Sequence, residues 1–180
     1  MFRSAQITIL LIYICFFLNI VPSISQINED VPLNNIVKYE SSKQISPLVF
    51  ENFLGNKVKI KDFNGKLIIL NFWATWCTPC KKEMPSLDKL AEDPRFKNLV
   101  IFAINMETPN NKKTRKFFDD LELEKLDIFF DKNLNFVKAF RIRGVPTSIL
   151  IDKKNKEFAR IIGSINFQDK KFLDWLLKYD

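Results

Sequence analysis

Two cysteines three positions apart are the residues of this chain best suited to redox chemistry. They lie in the segment Trp76-Cys77-Thr78-Pro79-Cys80, after an apolar run and before a pattern typical of a helix. Free backbone N–H groups and the helix dipole stabilise an anion at a helix N-terminus, so Cys77 is predicted to form a reactive thiolate. Cys80 lies one turn further along the same face and can attack Cys77 to resolve a mixed disulfide.

The residues beside the cysteines are predicted to shape the contact with a substrate. Pro79 suits the first turn of a helix, where its missing N–H costs little. Trp76 and Pro79 would form an apolar, exposed rim around Cys77. We therefore assign Trp76, Thr78 and Pro79 to substrate binding.

Other chemistries for a C-x-x-C pair fit this composition less well. The chain has three cysteines and no histidine, and the third cysteine, Cys15, stands alone in an apolar run. A zinc site needs two further ligands, and the chain has neither a histidine nor a second cysteine pair to supply them. A structural disulfide that closes so short a loop would add little stability. The missing histidine also leaves proton transfer to carboxylates, lysines, thiols or water.

The composition indicates a folded domain with a basic surface. The chain has 180 residues, of which 47% are hydrophobic, and a net charge of +7 from 28 Lys and Arg against 21 Asp and Glu. Such a hydrophobic fraction excludes a disordered chain. The lysines are interspersed with acidic residues, as in residues 57–62 and 112–120. This mixture favours a solvated surface, and we predict no nucleic-acid partner.

The N-terminal residues are predicted to direct the chain out of the cytoplasm. Residues 7–21 form an apolar run, and Arg3 is the only charged residue among the first 28. This pattern predicts a signal peptide or a membrane anchor over residues 1–25, with anchoring through residues 7–21; a buried N-terminal helix is the alternative. Residues 26–44 are predicted to be a polar linker. Residues 45–180 would then be a folded domain in the periplasm or another extracytoplasmic space.

Hydrophobic periodicity predicts strands that alternate with helices. The predicted strands are residues 48–53, 58–63, 67–73, 99–105, 128–130, 147–151 and 157–162, and the predicted helices are residues 78–93, 110–121, 134–140 and 167–179. This order predicts an α/β fold that has a mixed central sheet with helices on both faces, and an extra N-terminal β-hairpin.

Two segments resemble the TlpA/ResA-like branch of the thioredoxin superfamily. They are residues 71–85, NFWATWCTPCKKEMP, and residues 144–147, GVPT, and the resemblance extends over about residues 45–177. It implies a thioredoxin-like fold in which Pro146 has a cis peptide bond and lies beside the active-site disulfide. It also implies that the backbone of Val145 pairs with an extended substrate.

The resemblance further implies a role for Glu83. The TlpA/ResA-like branch has a glutamate three residues after the second cysteine, and Glu83 matches it, whereas Asn71 stands where thioredoxins proper have a buried aspartate. Glu83 would accept the proton that Cys80 loses, since a buried carboxylate can have a pKa near neutrality. The alternative is an exposed glutamate paired with a lysine such as Lys82.

The family resemblance implies a protein-disulfide reductase that acts on oxidised, exported client proteins. The implied clients take part in cytochrome c maturation or in assembly of the respiratory oxidase copper site, and the implied electron donor is a DsbD/CcdA-type membrane protein. No cofactor or metal is expected beyond the redox-active disulfide. A disulfide oxidase or isomerase of broader specificity is the main alternative, because the same motif serves both directions. A peroxidase, a metallochaperone and a redox-inert interaction module fit the residues less well.

Two arginines, Arg141 and Arg143, precede the Gly-Val-Pro loop. They are interpreted as a solvated pair. The alternative is that they attract an anionic partner surface.

Overall fold

The apolar run Leu67–Trp73 forms the central strand β4, and all seven of its residues are buried. The computed structural model describes residues 33–180. Strand β5, Leu99–Asn105, lies parallel to β4, and β6, Ile128–Phe130, lies parallel to β5. Strand β7, Thr147–Ile151, pairs with the other side of β4 in the antiparallel direction. The sheet is therefore mixed, as the sequence predicts.

Four outer strands extend this core, and they are β1 (Ile36–Gln44), β2 (Val49–Asn52), β3 (Lys57–Lys59) and β8 (Lys156–Ile162). The sheet then has eight strands in the order β1-β8-β7-β4-β5-β6-β2-β3. Strands β2 and β3 form the predicted hairpin, and β2 pairs with β6 in the antiparallel direction, which leaves β3 at the edge of the sheet.

The predicted linker over residues 26–44 is wrong for Ile36–Gln44. These residues form β1, which pairs with β8 and shifts register between Lys38 and Lys43. Ile36 is buried, whereas most of the later residues of β1 face outward. An edge strand of this kind carries polar residues and lacks the apolar alternation on which a strand prediction depends.

Helices cover both faces of the sheet. They are α1 (Thr78–Ala91), α2 (Asn111–Asp120), α3 (Asn135–Phe140) and α4 (Lys170–Leu176). One buried cluster packs Ile69 and Trp73 of β4 against α1, α2 and α4. The second packs Ile68, Leu70 and Phe72 against α3 and the hairpin. The alternation along β4 follows from the two-residue period of a strand.

Two predicted elements have different bounds in the structure. The strand predicted at 58–63 stops at Lys59, and Ile60–Phe63 form a 3-10 helix in which Ile60 is buried. The C-terminal helix begins after Asp169, whose carboxylate caps it, and not at Phe167. The backbone N–H of Phe167 donates to the hydroxyl of Ser86, which holds this residue outside the helix.

The signal peptide or anchor predicted for residues 1–25 lies outside the described residues. Within residues 33–180, no helix is long and apolar enough to span a bilayer.

Candidate active site

Cys77 and Cys80 are joined by a disulfide at the start of α1, with an S–S distance of 2.04 Å. Cys77 is the N-cap residue, and its Sγ accepts a hydrogen bond from the backbone N–H of Cys80 at 3.2 Å. Pro79 occupies the first turn, where no N–H is needed for the helix. The sulfur of Cys77 therefore lies where the unpaired N–H groups and the helix dipole favour negative charge.

The surface around the disulfide is formed by the residues between and beside the cysteines. Trp76 is 69% exposed, and Thr78 and Pro79 are also exposed. Cys77 is only 3% exposed, and Cys80 is fully buried. An attacking group can therefore approach Cys77 only through a small opening, and Cys80 reacts from within the protein.

The loop before β7 lies at the same edge of the sheet. The Val145–Pro146 peptide bond is cis, as the family resemblance implies. Thr147, the first residue of β7, pairs with Phe72, so Pro146 lies beside the end of β4 from which the chain continues to Cys77. The carbonyl of Pro146 accepts a hydrogen bond from the N–H of Gly163 at 3.0 Å, which fixes the loop to the end of β8.

Glu83 is buried behind the disulfide and is 2% exposed. Its two carboxylate oxygens accept hydrogen bonds from the side-chain amide of Asn71 at 2.8 Å and from the backbone N–H of Ile165 at 3.3 Å. Burial raises the pKa of Glu83 to about 7, although these two hydrogen bonds act to lower it. The alternative of an exposed glutamate paired with Lys82 is wrong, because Glu83 lies on the buried stripe of α1 that includes Cys80, Met84 and Leu87.

Asn71 connects Glu83 to the sheet. Besides its bond to Glu83, the side-chain amide of Asn71 donates to the hydroxyl of Ser148 at 3.0 Å. Asn71 and Ser148 are cross-strand partners in β4 and β7, and both are buried. In the sequence, Asn71 is recognisable only as the residue that stands where thioredoxins proper have a buried aspartate. Its contact with Ser148 spans 77 positions, and no local pattern could indicate it.

A second carboxylate, Glu107, holds the turn that leads to the cysteines. It accepts a hydrogen bond from the backbone N–H of Thr75 at 2.6 Å and forms an ion pair with Lys113 at 2.7 Å. Burial acts to raise the pKa of Glu107, but the contacts with Lys113 and Thr75 outweigh it and hold the pKa below its ordinary value. Glu107 is therefore a charged anchor for the Thr75-Trp76 turn. Sequence analysis missed it because it lies in a loop without a recognisable motif.

The arrangement provides the groups that dithiol–disulfide exchange requires. One sulfur lies at a helix N-terminus, a second sulfur is bonded to it from within, and a carboxyl group with a pKa near neutrality lies one helical turn beyond the second sulfur. Fold and site together define a thioredoxin-fold protein with a redox-active disulfide.

Known proteins share both the sequence and the fold. Residues 43–156 match the AhpC/TSA family. The chain is 35% identical over 141 residues to the thiol-disulfide oxidoreductase ResA of Bacillus thuringiensis subsp. konkukian, which covers 78% of this chain and 79% of that protein. It is 31% identical over 120 residues to the thioredoxin-like protein YneN of Bacillus subtilis, which covers 66% of this chain and 69% of that protein.

The fold is also that of a solved structure, a secreted thiol-disulfide isomerase from Corynebacterium glutamicum. The two superpose with a TM-score of 0.69 at 21% identity, over 81% of this chain and 91% of that chain. This likeness concerns the fold alone. By its sequence matches, the chain belongs to the AhpC/TSA family and is a thiol-disulfide oxidoreductase of the ResA type. The resemblance, the thioredoxin-like fold and the class of activity predicted from the sequence are thus confirmed.

Proposed function

We propose that the protein reduces disulfides of exported client proteins through the thiols of Cys77 and Cys80. The observation that carries this proposal is the buried Glu83, whose pKa of about 7 suits a group that takes up a proton near neutral pH. In a reductase, Cys80 must lose its proton before it can attack. Glu83 lies one helical turn from Cys80 on the same buried face of α1 and would accept that proton.

The proposed cycle transfers two electrons to the client. The Cys77 thiolate attacks one sulfur of the client disulfide, which forms a mixed disulfide and releases the other client sulfur as a thiolate. Cys80 then gives its proton to Glu83 and attacks the sulfur of Cys77. The second client thiolate leaves, and the protein keeps the Cys77–Cys80 disulfide. The cycle needs no cofactor beyond the two thiols.

Client binding is assigned to the surface around the disulfide. Trp76, Thr78 and Pro79 are exposed beside Cys77, and we propose that they contact the client near its sulfur. Val145 is half-buried, and its backbone N–H and C=O make no hydrogen bond to any other residue in 33–180. Val145 would pair with an extended segment of the client in the manner of a strand edge, and Pro146, whose carbonyl already accepts the N–H of Gly163, would contact the client beside it.

The biological setting is part of the same proposal. We infer that residues 1–25 export the chain or anchor it to a membrane, and that the redox domain works in the periplasm or another extracytoplasmic space. An oxidising space requires a source of electrons, and a DsbD/CcdA-type membrane protein would supply them. The clients would be proteins of cytochrome c maturation or of copper-site assembly in a respiratory oxidase.

The direction of exchange is tested by the reduction potential. Equilibration with glutathione buffers is expected to give a midpoint well below about −200 mV, as a reductase requires. A midpoint near about −120 mV would identify an oxidant and overturn the proposal. The identity of the client is tested by expressing the variant Cys80→Ser in cells. This variant cannot resolve mixed disulfides and should retain the client on Cys77. Recovery of proteins unrelated to cytochrome c or copper delivery would contradict the proposed setting.

A further inference from the structure

A groove of about 560 Å³ lies beside the cis Val145–Pro146 peptide. We call it the arginine groove; it is lined by Arg141, Ile142, Arg143, Val145, Arg160 and Ile162, among others. Its position follows from the topology. The pairing of Thr147 with Phe72 brings the loop to the edge of the sheet where Cys77 begins α1. A client bound to the cis-peptide loop would therefore extend into the arginine groove.

The floor of the groove offers apolar contact area. Ile162, the last residue of β8, is 57% exposed, although most other large apolar residues of the sheet are buried. Ile142 and Val145 are half-buried beside it. Together they form an apolar strip that water covers in the free protein, and an extended chain could bury it.

The arginine groove contains more positive charge than its carboxylates neutralise. Arg160 is neutralised by Glu157, with its guanidinium 2.6 Å from the carboxylate, and it also donates to the carbonyl of Phe140. Arg141 and Arg143 are exposed, and neither forms an ion pair with any residue from 33 to 180. Two cations of the groove therefore lack a carboxylate partner within the described part of the chain.

On the opposite side of the disulfide, most cations that line the groove have a carboxylate partner. The groove beside Trp76 is also lined by cations, Lys81, Lys113 and Lys116. Of these, Lys113 is paired with Glu107 and Lys116 with Asp120. Lys81 is exposed and forms no ion pair within residues 33–180, so this groove has one unpaired cation in its lining, against two in the arginine groove, where the client backbone is expected to lie.

We propose that the arginine groove binds an acidic, extended segment of the oxidised client, with its aspartate or glutamate side chains against Arg141 and Arg143. Arginine matches a carboxylate with two parallel N–H donors, and no charge within the described chain competes for these two side chains. Because the arginine groove lies beside the cis-peptide loop, the recognised carboxylates are expected to flank the client cysteine in the client sequence. This inference rests on the proposed function, since it specifies the client of the same site.

The test compares three disulfide-linked peptides of equal length, in which the residues flanking the cysteine are acidic, neutral amides or lysines. Reduction by the wild-type protein is expected to be fastest for the acidic peptide, by about tenfold over the neutral peptide at low salt. The preference should fall as the salt concentration rises from about 0.01 M to about 1 M, because the Debye length shrinks from about 30 Å to about 3 Å.

The variant Arg141→Glu with Arg143→Glu is expected to reverse the order of the acidic and lysine peptides. The matched control is Lys57→Glu with Lys59→Glu, which changes the net charge equally but lies on exposed residues of β3, at the other edge of the sheet. The control should keep the wild-type preference. A circular dichroism spectrum like that of the wild type establishes that each variant is folded.

Several outcomes overturn the inference. Equal rates for the three peptides would reject the groove as a client site while leaving the proposed function intact. Loss of the preference in both double variants would assign it to net charge instead of to the groove. If the arginine variant binds anionic lipid vesicles less well and keeps its peptide preference, the arginines serve a membrane surface. Failure of the wild-type protein to reduce any of the three peptides would reject the proposed function together with the inference.

Discussion

Replacing Glu83 by glutamine tests the environment on which the proposed proton transfer depends. The substitution keeps the size of the side chain and removes its ionisation. Glutamine resembles the protonated carboxyl, because it can still accept a hydrogen bond from Asn71. In the wild-type protein, burial raises the pKa of Glu83 from its ordinary 4.5 to about 7.

The size and sign of the effect follow from this pKa. The folded protein holds the proton of Glu83 more tightly than the unfolded chain does, so the neutral carboxyl stabilises the fold at low pH. This contribution is complete below pH 4.5 and is lost as the pH rises to about 7. The difference between the two pKa values corresponds to about 3 kcal/mol.

The assay is urea unfolding of the oxidised protein between about pH 4.5 and pH 8. The intact disulfide ensures that neither cysteine titrates in this range. The free energy of unfolding of the wild-type protein should fall by about 3 kcal/mol more than that of Glu83→Gln over this interval. Glu40→Gln, which changes an exposed carboxylate on β1, is the matched control and should follow the wild-type curve.

Parallel curves for wild type and Glu83→Gln would refute this reasoning. They would mean that Glu83 titrates alike in the folded and unfolded chain, and that burial does not affect its proton. Its assignment as the acceptor of the Cys80 proton would then lose its physical basis.

Substitutions at three further residues test other parts of the site and the fold. Asn71→Asp places a second carboxyl 2.8 Å from Glu83, so the two carboxyl groups should share one proton. Carbon NMR should then show a titration midpoint for Glu83 above the wild-type value, and an unchanged midpoint would contradict this. Trp76→Ala should slow the reduction of protein disulfides. It should change the unfolding free energy by less than about 0.5 kcal/mol, since the indole is mostly exposed. Equal slowing for a small neutral disulfide would argue against a role of Trp76 in docking the client. The carboxylate of Asp88 accepts hydrogen bonds from the backbone N–H groups of residues 124–126, so Asp88→Ala should lower the unfolding free energy by about 2–4 kcal/mol. Asp88→Asn keeps one acceptor oxygen and should lower it by less. Equal losses for the two variants would show that these hydrogen bonds contribute little.

The central strands and the cysteine turn could be read from the sequence because their signals are local. Strands β4 and β5 are apolar along nearly their whole length, as strands buried on both faces must be, and β7 ends in the apolar run Ile149–Ile151. The C-x-x-C pair carries its chemistry within four residues, and Pro79 marks the start of the helix. These features do not depend on contacts with residues that are distant in the sequence.

The features that sequence reasoning missed depend on partners far along the chain. Strand β1 exists because β8 supplies its hydrogen bonds, and its own residues are largely polar. Asn71 becomes part of the site through Ser148, and Glu107 through Thr75. Glu83, by contrast, could be placed from the sequence: it follows Cys80 by three positions and precedes Leu87 by four, a helical spacing that puts it on the buried stripe of α1.

The most direct test of the account is the pH dependence of alkylation of Cys77 in the reduced protein. The rate of modification by iodoacetamide reports the thiolate, and mass spectrometry of the digest identifies which cysteine has reacted. Because Cys77 caps α1 and its sulfur accepts the N–H of Cys80, the account predicts that Cys77 reacts first, with a midpoint below pH 8.5, the ordinary value for a cysteine thiol. A midpoint at or above about pH 8.5, or faster modification of Cys80, would contradict it.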